Sequence, residues 1–273
     1  MIGSSSLFAL ELMTGIGLLL PLCAAFVWIK TQKEKVSTVL IGAVTWIVFA
    51  VILEAIPKYF LFNPETPIGA KVLSSPVLYI AAGAMLAGIF EETGRFIMFK
   101  TVLKNRKNRE TGVSHGIGHG GMEAAWMLVI GGIQYMIYAI MINNGTFESF
   151  LSQNAAAGID ISTLELMPEA IAQITPVNTL ISVLERVFAM LLHVSLSILV
   201  FNAVKRSRIG LFFAAIALHA LFDVPAGLYQ VGAMNILPTE ALIALLSVVS
   251  FVIIYKNFYK TDDQGALPAE AAI

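Results

Sequence analysis

Seven apolar runs of about 20 residues follow one another along the chain. Each matches a hydrocarbon core roughly 30 Å thick, crossed at about 1.5 Å of helix rise per residue. Bounded by Pro, Gly and charge clusters, they span about Leu7 to Ile29, Val36 to Ile56, Val77 to Phe99, Gly118 to Ile142, Val177 to Val204, Ile209 to Tyr229 and Thr239 to Phe258. The expected fold is therefore all-α: a polytopic membrane protein, a seven-transmembrane-helix bundle in a multi-pass, prokaryotic-type plasma membrane location. A hydrophobic content of 58% against 13% charged residues agrees with the lipid bilayer as the solvent. The net charge of -1, with no basic stripe interleaved with aromatics, sets nucleic acid aside as a partner. The single cysteine, Cys23, excludes an internal disulfide and a cysteine metal cluster and reads as a small packing residue. The opening MIGSSSLFALELM has no basic stretch before its apolar run and no small-residue cleavage site, so the first run is expected to remain as a helix.

The connecting segments alternate in basic content. Lys30, Lys33 and Lys35 follow the first run, and Lys100, Lys104, Arg106, Lys107 and Arg109 the third. Lys205, Arg206 and Arg208 follow the fifth, Lys256 and Lys260 the seventh, while the intervening segments hold only Lys58 and Lys71. The positive-inside rule then puts the N-terminus outside and the C-terminus in the cytosol. Residues 1–260 are expected to form one transmembrane helical domain, followed by a disordered cytosolic tail over 261–273. The stretch from Asn143 to Pro176 lacks Lys and Arg. Its Ser162 and Glu165 stand in capping-box spacing, with Leu164, Met167, Ile171 and Ile174 at helical intervals behind them. A short amphipathic helix on the outer surface, within about 146–176, is the expectation, either as an interfacial helix or as a lid. Asn144-Gly145-Thr146 matches a glycosylation sequon and decides nothing.

Ionisable residues lie well inside four of the runs. Each costs roughly 2.5–3.5 kcal/mol at a membrane helix centre even on a lenient scale, so a set of them implies a shared polar interior. Glu91 and Glu92 are adjacent in the third run, with Arg95 at i+4 and i+3, so Arg95 can neutralise one carboxylate and leave the other to act. His119 and Glu123 share a face of the fourth run, among Gly116, Gly118, Gly120 and Gly121, which admit a close neighbour. His193 precedes Ser197 by one turn, and His219 precedes Asp223, a carboxylate able to orient its imidazole. Asp223 is followed by Pro225, which loosens the local backbone.

Counting inward from the basic ends places Glu91 and Glu92 about 10–15 Å deep, Glu123 about 8 Å, and His193 and His219 about 15 Å. These groups share a layer in the cytosolic half. Glu185 and Arg186 lie about two turns from His193 toward the outer end and read as a structural pair or outer gate. His115 is expected to be solvated in the basic connection. Two imidazoles with carboxylates at one depth match the ligand set of a divalent metal, most readily Zn2+, with a glutamate as general base for amide hydrolysis. No HExxH signature is present. The same groups also suit helix pairing without a metal.

The order EETGR, HGIGHGGMEA, LERVFAMLLHVSLS and HALFD resembles the YhfC family of intramembrane metalloproteases, grouped with the type II CAAX-prenyl proteases and the APH subunit of gamma-secretase. The similarity runs from the third to the sixth run. By that resemblance Glu91 and Glu92 stand for the paired glutamates of EExxxR, and His193 and His219 for the histidines of FxxxH and HxxxN. Asp223 takes the place of the terminal asparagine. Arg95 comes one residue early relative to EExxxR, Ala189 replaces the phenylalanine, and an extra helix precedes His193, as in the APH subunit.

Together these features predict an intramembrane metal-dependent endopeptidase acting on a membrane-embedded or membrane-anchored peptide. Glu91, Glu92, Arg95 and Glu123 are the catalytic candidates, with Glu92 or Glu91 activating water, and His193, His219, Glu92 and His119 the metal-ligand candidates. Asp223, Ser197, Glu185 and Arg186 support them. A non-catalytic scaffold like the APH subunit and an ion or proton pathway are the alternatives; the former needs a stable partner complex, the latter transport without cleavage.

Overall fold

A computed structural model describes residues 1–261; the tail expected to be disordered lies almost wholly outside them. Among the described residues the regular secondary structure is helical throughout. Seven helices are long and apolar enough to cross a membrane: α1 (Ser4–Gln32), α2 (Val36–Leu61), α4 (Pro76–Lys100), α5 (Glu110–Asn144), α9 (Pro176–Lys205), α10 (Ile209–Gln230) and α11 (Ile236–Tyr259). A short helix α3 (Pro67–Leu73) links α2 to α4, and α6 (Phe147–Ala156), α7 (Ser162–Glu165) and α8 (Met167–Ala172) link α5 to α9. The molecule is a multi-pass integral membrane protein. Ser75 and Thr66 cap α4 and α3 with their side-chain oxygens, each followed by a proline at a position where a missing N–H costs nothing. α10 continues through Pro225.

The chain forms two compact units, one of Met1–Leu22 and Ala124–Val187, the other of Cys23–Glu123 and the chain from Phe188 on. In the smaller unit Ile2, Leu10, Ala139 and Ile171 are buried together with Met13, Met167 and Ile174 packed against them. The expected single amphipathic helix is instead three short pieces. Ser162 does not form the capping box: the N-cap of α7 is Ile161, without a side-chain cap, while Asp160 Oδ1 accepts from the Ser162 N–H at 2.9 Å. Pro168 is the physical reason for the break, since it has no N–H and fits only the first turn of a helix, so α8 restarts at Met167.

The larger unit is built around the second half of α9, in which every residue from Leu192 to Ala203 is buried. Leu192, Leu196, Ile198 and Phe201 of α9 share a core with Phe99, Val113, Ile117, Ala215 and Phe222. α5 starts at Glu110, eight residues before the expected start, because the glycines that lower its hydropathy are its packing surface. Gly112, Gly116 and Gly120 recur every four residues and lie against α9, where an added Cβ would come within 3.2 Å of Ile198 Cα, 2.5 Å of Val194 Cα and 2.9 Å of His193 Cβ. Gly118 meets the backbone of Val39 on α2, and Gly42 of α2 meets the His115 carbonyl. Small residues at this spacing are how helices approach closely in lipid. Gly88 likewise lets α4 close on the Ile216 carbonyl of α10, and the π-helical segment Ile47–Leu53 of α2 brings the Phe49 ring onto Gly94.

The basic connections meet at one end of this unit. Trp28 Nε1 donates to Ser114 Oγ at 2.9 Å, Ser114 Oγ donates to Glu34 Oε2 at 3.1 Å, and Arg106 Nη1 donates to Thr38 Oγ1 at 3.2 Å. Arg109 lies 4.7 Å over the Tyr259 ring.

Gly118→Ala is expected to lower unfolding stability in detergent by about 1–3 kcal/mol, because the methyl meets backbone that cannot yield. Gly131→Ala, where nothing lies within 4 Å, should leave it unchanged or slightly raised. Equal thermal midpoints for the two variants would refute the close α2–α5 contact.

Candidate active site

The charge at the centre of the larger unit is the Arg95 guanidinium, which is completely buried. It arises from the middle of α4 and its donors are distributed over three directions. Nη1 forms a close ion pair with Glu92 Oε1, Nη2 donates to His193 Nδ1 at 2.6 Å, and Nε donates to Ser197 Oγ at 3.2 Å. Glu91 Oε2 lies farther from it, 3.7 Å from Nη2. The two neighbouring glutamates point about 100° apart on the helix and so meet different partners.

Glu92 is fully buried, and its Oε1 also accepts from His219 Nδ1 at 2.7 Å, leaving Oε2 buried without a hydrogen-bond partner. With Nδ1 occupied, His219 turns Nε2 toward Glu91 Oε2 at 4.0 Å and Asp223 Oδ2 at 3.8 Å. Glu92, from the facing helix, is therefore the carboxylate hydrogen-bonded to His219 Nδ1, while Asp223 stands on the Nε2 side. Glu91 Oε2 accepts from His119 Nε2 at 2.8 Å and lies 3.9 Å from His193 Nδ1. His119 Nδ1 is buried without a partner. On its other side the His193 ring contacts Glu123 closely through Nε2. The imidazoles of His119, His193 and His219 form a row with centroids 5.2 and 5.5 Å apart.

Glu91, Glu92, Arg95, His119, Glu123, His193, Ser197, His219 and Asp223 thus come together. The sequence count misplaces Glu123: α5 begins at Glu110, so Glu123 stands about 20 Å, not 8 Å, from the basic end of its helix. Glu185 and Arg186 form a close ion pair with each other in the smaller unit. His115 departs most from expectation. It is fully buried, its ring 4.7 Å from that of Phe99, with Nδ1 3.3 Å from Ser197 Oγ and Nε2 3.2 Å from Thr45 Oγ1. Its HGIGH spacing to His119, one turn away on one face, is the signal that could have found it.

The donor set suits a metal. Glu91, His193 and His219 each present one ligand atom, all three within 4.8 Å of one another and all three residues buried. Two imidazoles and one carboxylate are a ligand set of catalytic zinc, and Glu92 behind His219 supplies the outer carboxylate such ligands use. Glu92 Oε1 is held by two donors, Arg95 and His219, and Glu91 is the carboxylate grouped with His193 and His219.

Fold and site together define a multi-pass membrane protein with a buried histidine-carboxylate centre of metal-binding composition. The model of the YhfC intramembrane metalloprotease family matches residues 16–254, and the chain belongs to that family. It is 33% identical over 260 residues to the uncharacterised membrane protein YhfC of Bacillus subtilis strain 168, covering 94% of this chain and 98% of that protein. No solved structure matches it.

Arg95→Ala removes the cation from between buried carboxylates and is expected to cost about 3–5 kcal/mol, the range for breaking a buried pair from one side. Arg186→Ala, at a partly exposed pair, should cost clearly less. Thermal unfolding in one detergent measures both, and an Arg95→Ala protein as stable as the parent would contradict the central role of this charge.

Proposed function

We propose that the protein is an intramembrane metallopeptidase that hydrolyses a peptide bond of a membrane-embedded or membrane-anchored substrate. The observation that carries this is the convergence of Glu91, His193 and His219 from three separate helices on one buried point, beside further carboxylates. These three residues would hold the metal, and Zn2+ is the ion their donors suit best. When bound, such an ion lowers the pKa of a water and polarises the scissile carbonyl.

The remaining roles belong to the chain. Glu92 orients His219 and balances Arg95. Arg95 fixes the position of Glu92 and of the His193 ring. Glu123 and Asp223 are the more open carboxylates, with side chains 17% and 30% exposed against 8% for Glu91. Glu123, against His193, would take a proton from water and return it to the leaving amine. Both ring nitrogens of His193 are engaged, Nδ1 by Arg95 and Nε2 by Glu123, so His193 would hold the metal once one of these contacts gives way. By the distribution of Lys and Arg, the N-terminus lies outside and the basic end of the larger unit faces the cytosol.

Purified protein is expected to contain close to one equivalent of zinc by elemental mass spectrometry, and a His193→Ala, His219→Ala double variant none. In liposomes the wild-type protein should cleave membrane-anchored test peptides. Chelation should stop the reaction and zinc restore it, and Glu123→Gln should lower kcat about 100-fold or more while metal remains bound. Metal-free wild-type protein without cleavage, in a stable complex with a partner that survives Glu91→Ala, would favour a scaffold instead.

A further inference from the structure

The arginine that organises the site is itself held from behind by groups outside the ligand set. Thr45 Oγ1 lies 2.6 Å from the carbonyl oxygen of Ile41, one turn back on α2, and an oxygen pair that short needs the hydroxyl hydrogen between them. Thr45 can then only accept from His115, so His115 Nε2 carries a proton and donates across 3.2 Å. Nδ1 of the neutral ring is consequently an acceptor, and the group beside it, Ser197 Oγ at 3.3 Å, must donate. With its hydrogen committed, Ser197 offers a lone pair to Arg95, whose Nε can only donate, at 3.2 Å. Each link fixes the next. The hydrogen bonds run one way from Arg95 through Ser197, His115 and Thr45 to the Ile41 carbonyl, and every partner in between is buried.

We propose that His115 is a positioning residue whose proton on Nε2 and bare Nδ1 polarise Ser197 toward Arg95 and so hold the guanidinium in the plane that bridges Glu92 and His193. Its effect on cleavage rests on the peptidase function proposed above; its effect on Arg95 does not. Packing alone does not account for His115. A phenylalanine would keep the contact with the Phe99 ring and lose only the polarity, while a glutamine amide can donate and accept from one end as the imidazole does.

Nitrogen-15 spectra of the metal-free protein at neutral pH, labelled at histidine and arginine, test this directly, with the Arg95 Nε–H signal assigned by its absence in Arg95→Lys. The wild-type His115 should show a protonated Nε2 and an unprotonated Nδ1. The Arg95 Nε–H should be protected from exchange in the wild type and in His115→Gln, and lose that protection in His115→Phe and in Thr45→Val, an isosteric change that keeps the histidine. In the cleavage assay His115→Phe should lose about 10–100-fold in kcat with KM unchanged, and His115→Gln should recover most of it. A proton on Nδ1 of His115, or an Arg95 signal indifferent to both His115→Phe and Thr45→Val, overturns the proposal whether or not a peptide is cleaved. If wild-type protein cleaves nothing while the spectra are as expected, the peptidase function fails and the positioning of Arg95 stands.

Discussion

A guanidinium inside a membrane protein must find partners for its planar set of donors or forfeit several kcal/mol, and that requirement at Arg95 arranges the larger unit. Its partners arrive from two helices. Glu92 and Glu91 stand three and four residues back on α4, while His193 and Ser197 stand one turn apart on α9. Satisfying Arg95 therefore fixes both the distance and the rotation of α9 relative to α4. The glycines of α5 follow from the same demand. Only a helix with no side chain at Gly116 and Gly120 can lie close enough to α9 to bring His119 to Glu91 and Glu123 to His193.

Within that frame, two consecutive glutamates acquire different chemistry from helical phase alone. Glu92 is held between Arg95 and His219, and a carboxylate with two donors on one oxygen is a poor base and a good orienter. Glu91 faces the histidine row instead and has its closest link to His119. Removing Glu92 would leave Arg95 without its nearest counter-charge and His219 without a partner on Nδ1, whereas removing Glu91 would leave His119 Nε2 without its acceptor. The pair is thus not redundant.

Much of this is legible in the sequence, and the failures have physical causes. The seven spans follow from apolar length, and the association of Glu91, Glu92, His193 and His219 from their shared depth along helices of known rise. The start of α5 was hidden because hydropathy scores Gly112 to Gly121 as polar, whereas in lipid glycines are interface. Starting α5 at Glu110 moves Glu123 about two turns deeper and takes His115 out of the connection into the same helix as His119. Periodicity also favours a residue's own helix over its neighbours. Asp223 stands at i+4 from His219 and invites pairing there, yet the shorter contact comes from Glu92 on another helix, which no one-dimensional spacing can show. At Ser162 the capping-box spacing is present, but Ile161 takes the N-cap position and Asp160 Oδ1 takes the Ser162 N–H.

The exposure gradient along the polar column also bears on how a peptide reaches the site. From the basic end, Thr45, His115, Ser197 and Arg95 are sealed, Glu92 and Glu91 nearly so, and accessibility returns only at Glu123 and Asp223. Asp223 is 14 residues past Ile209, about 21 Å along α10, which lies beyond the middle of a hydrocarbon core roughly 30 Å thick. A carboxylate 30% exposed at that depth cannot face lipid tails without a cost of about 2.5–3.5 kcal/mol, so the space in front of it is polar. Under the proposed orientation and function the sealed end is cytosolic, and a substrate would meet the histidines from the side of Glu123 and Asp223. A substrate that is itself a membrane segment would present its backbone at that depth, where the unfolding of one helical turn is the step that makes a bond available to the site.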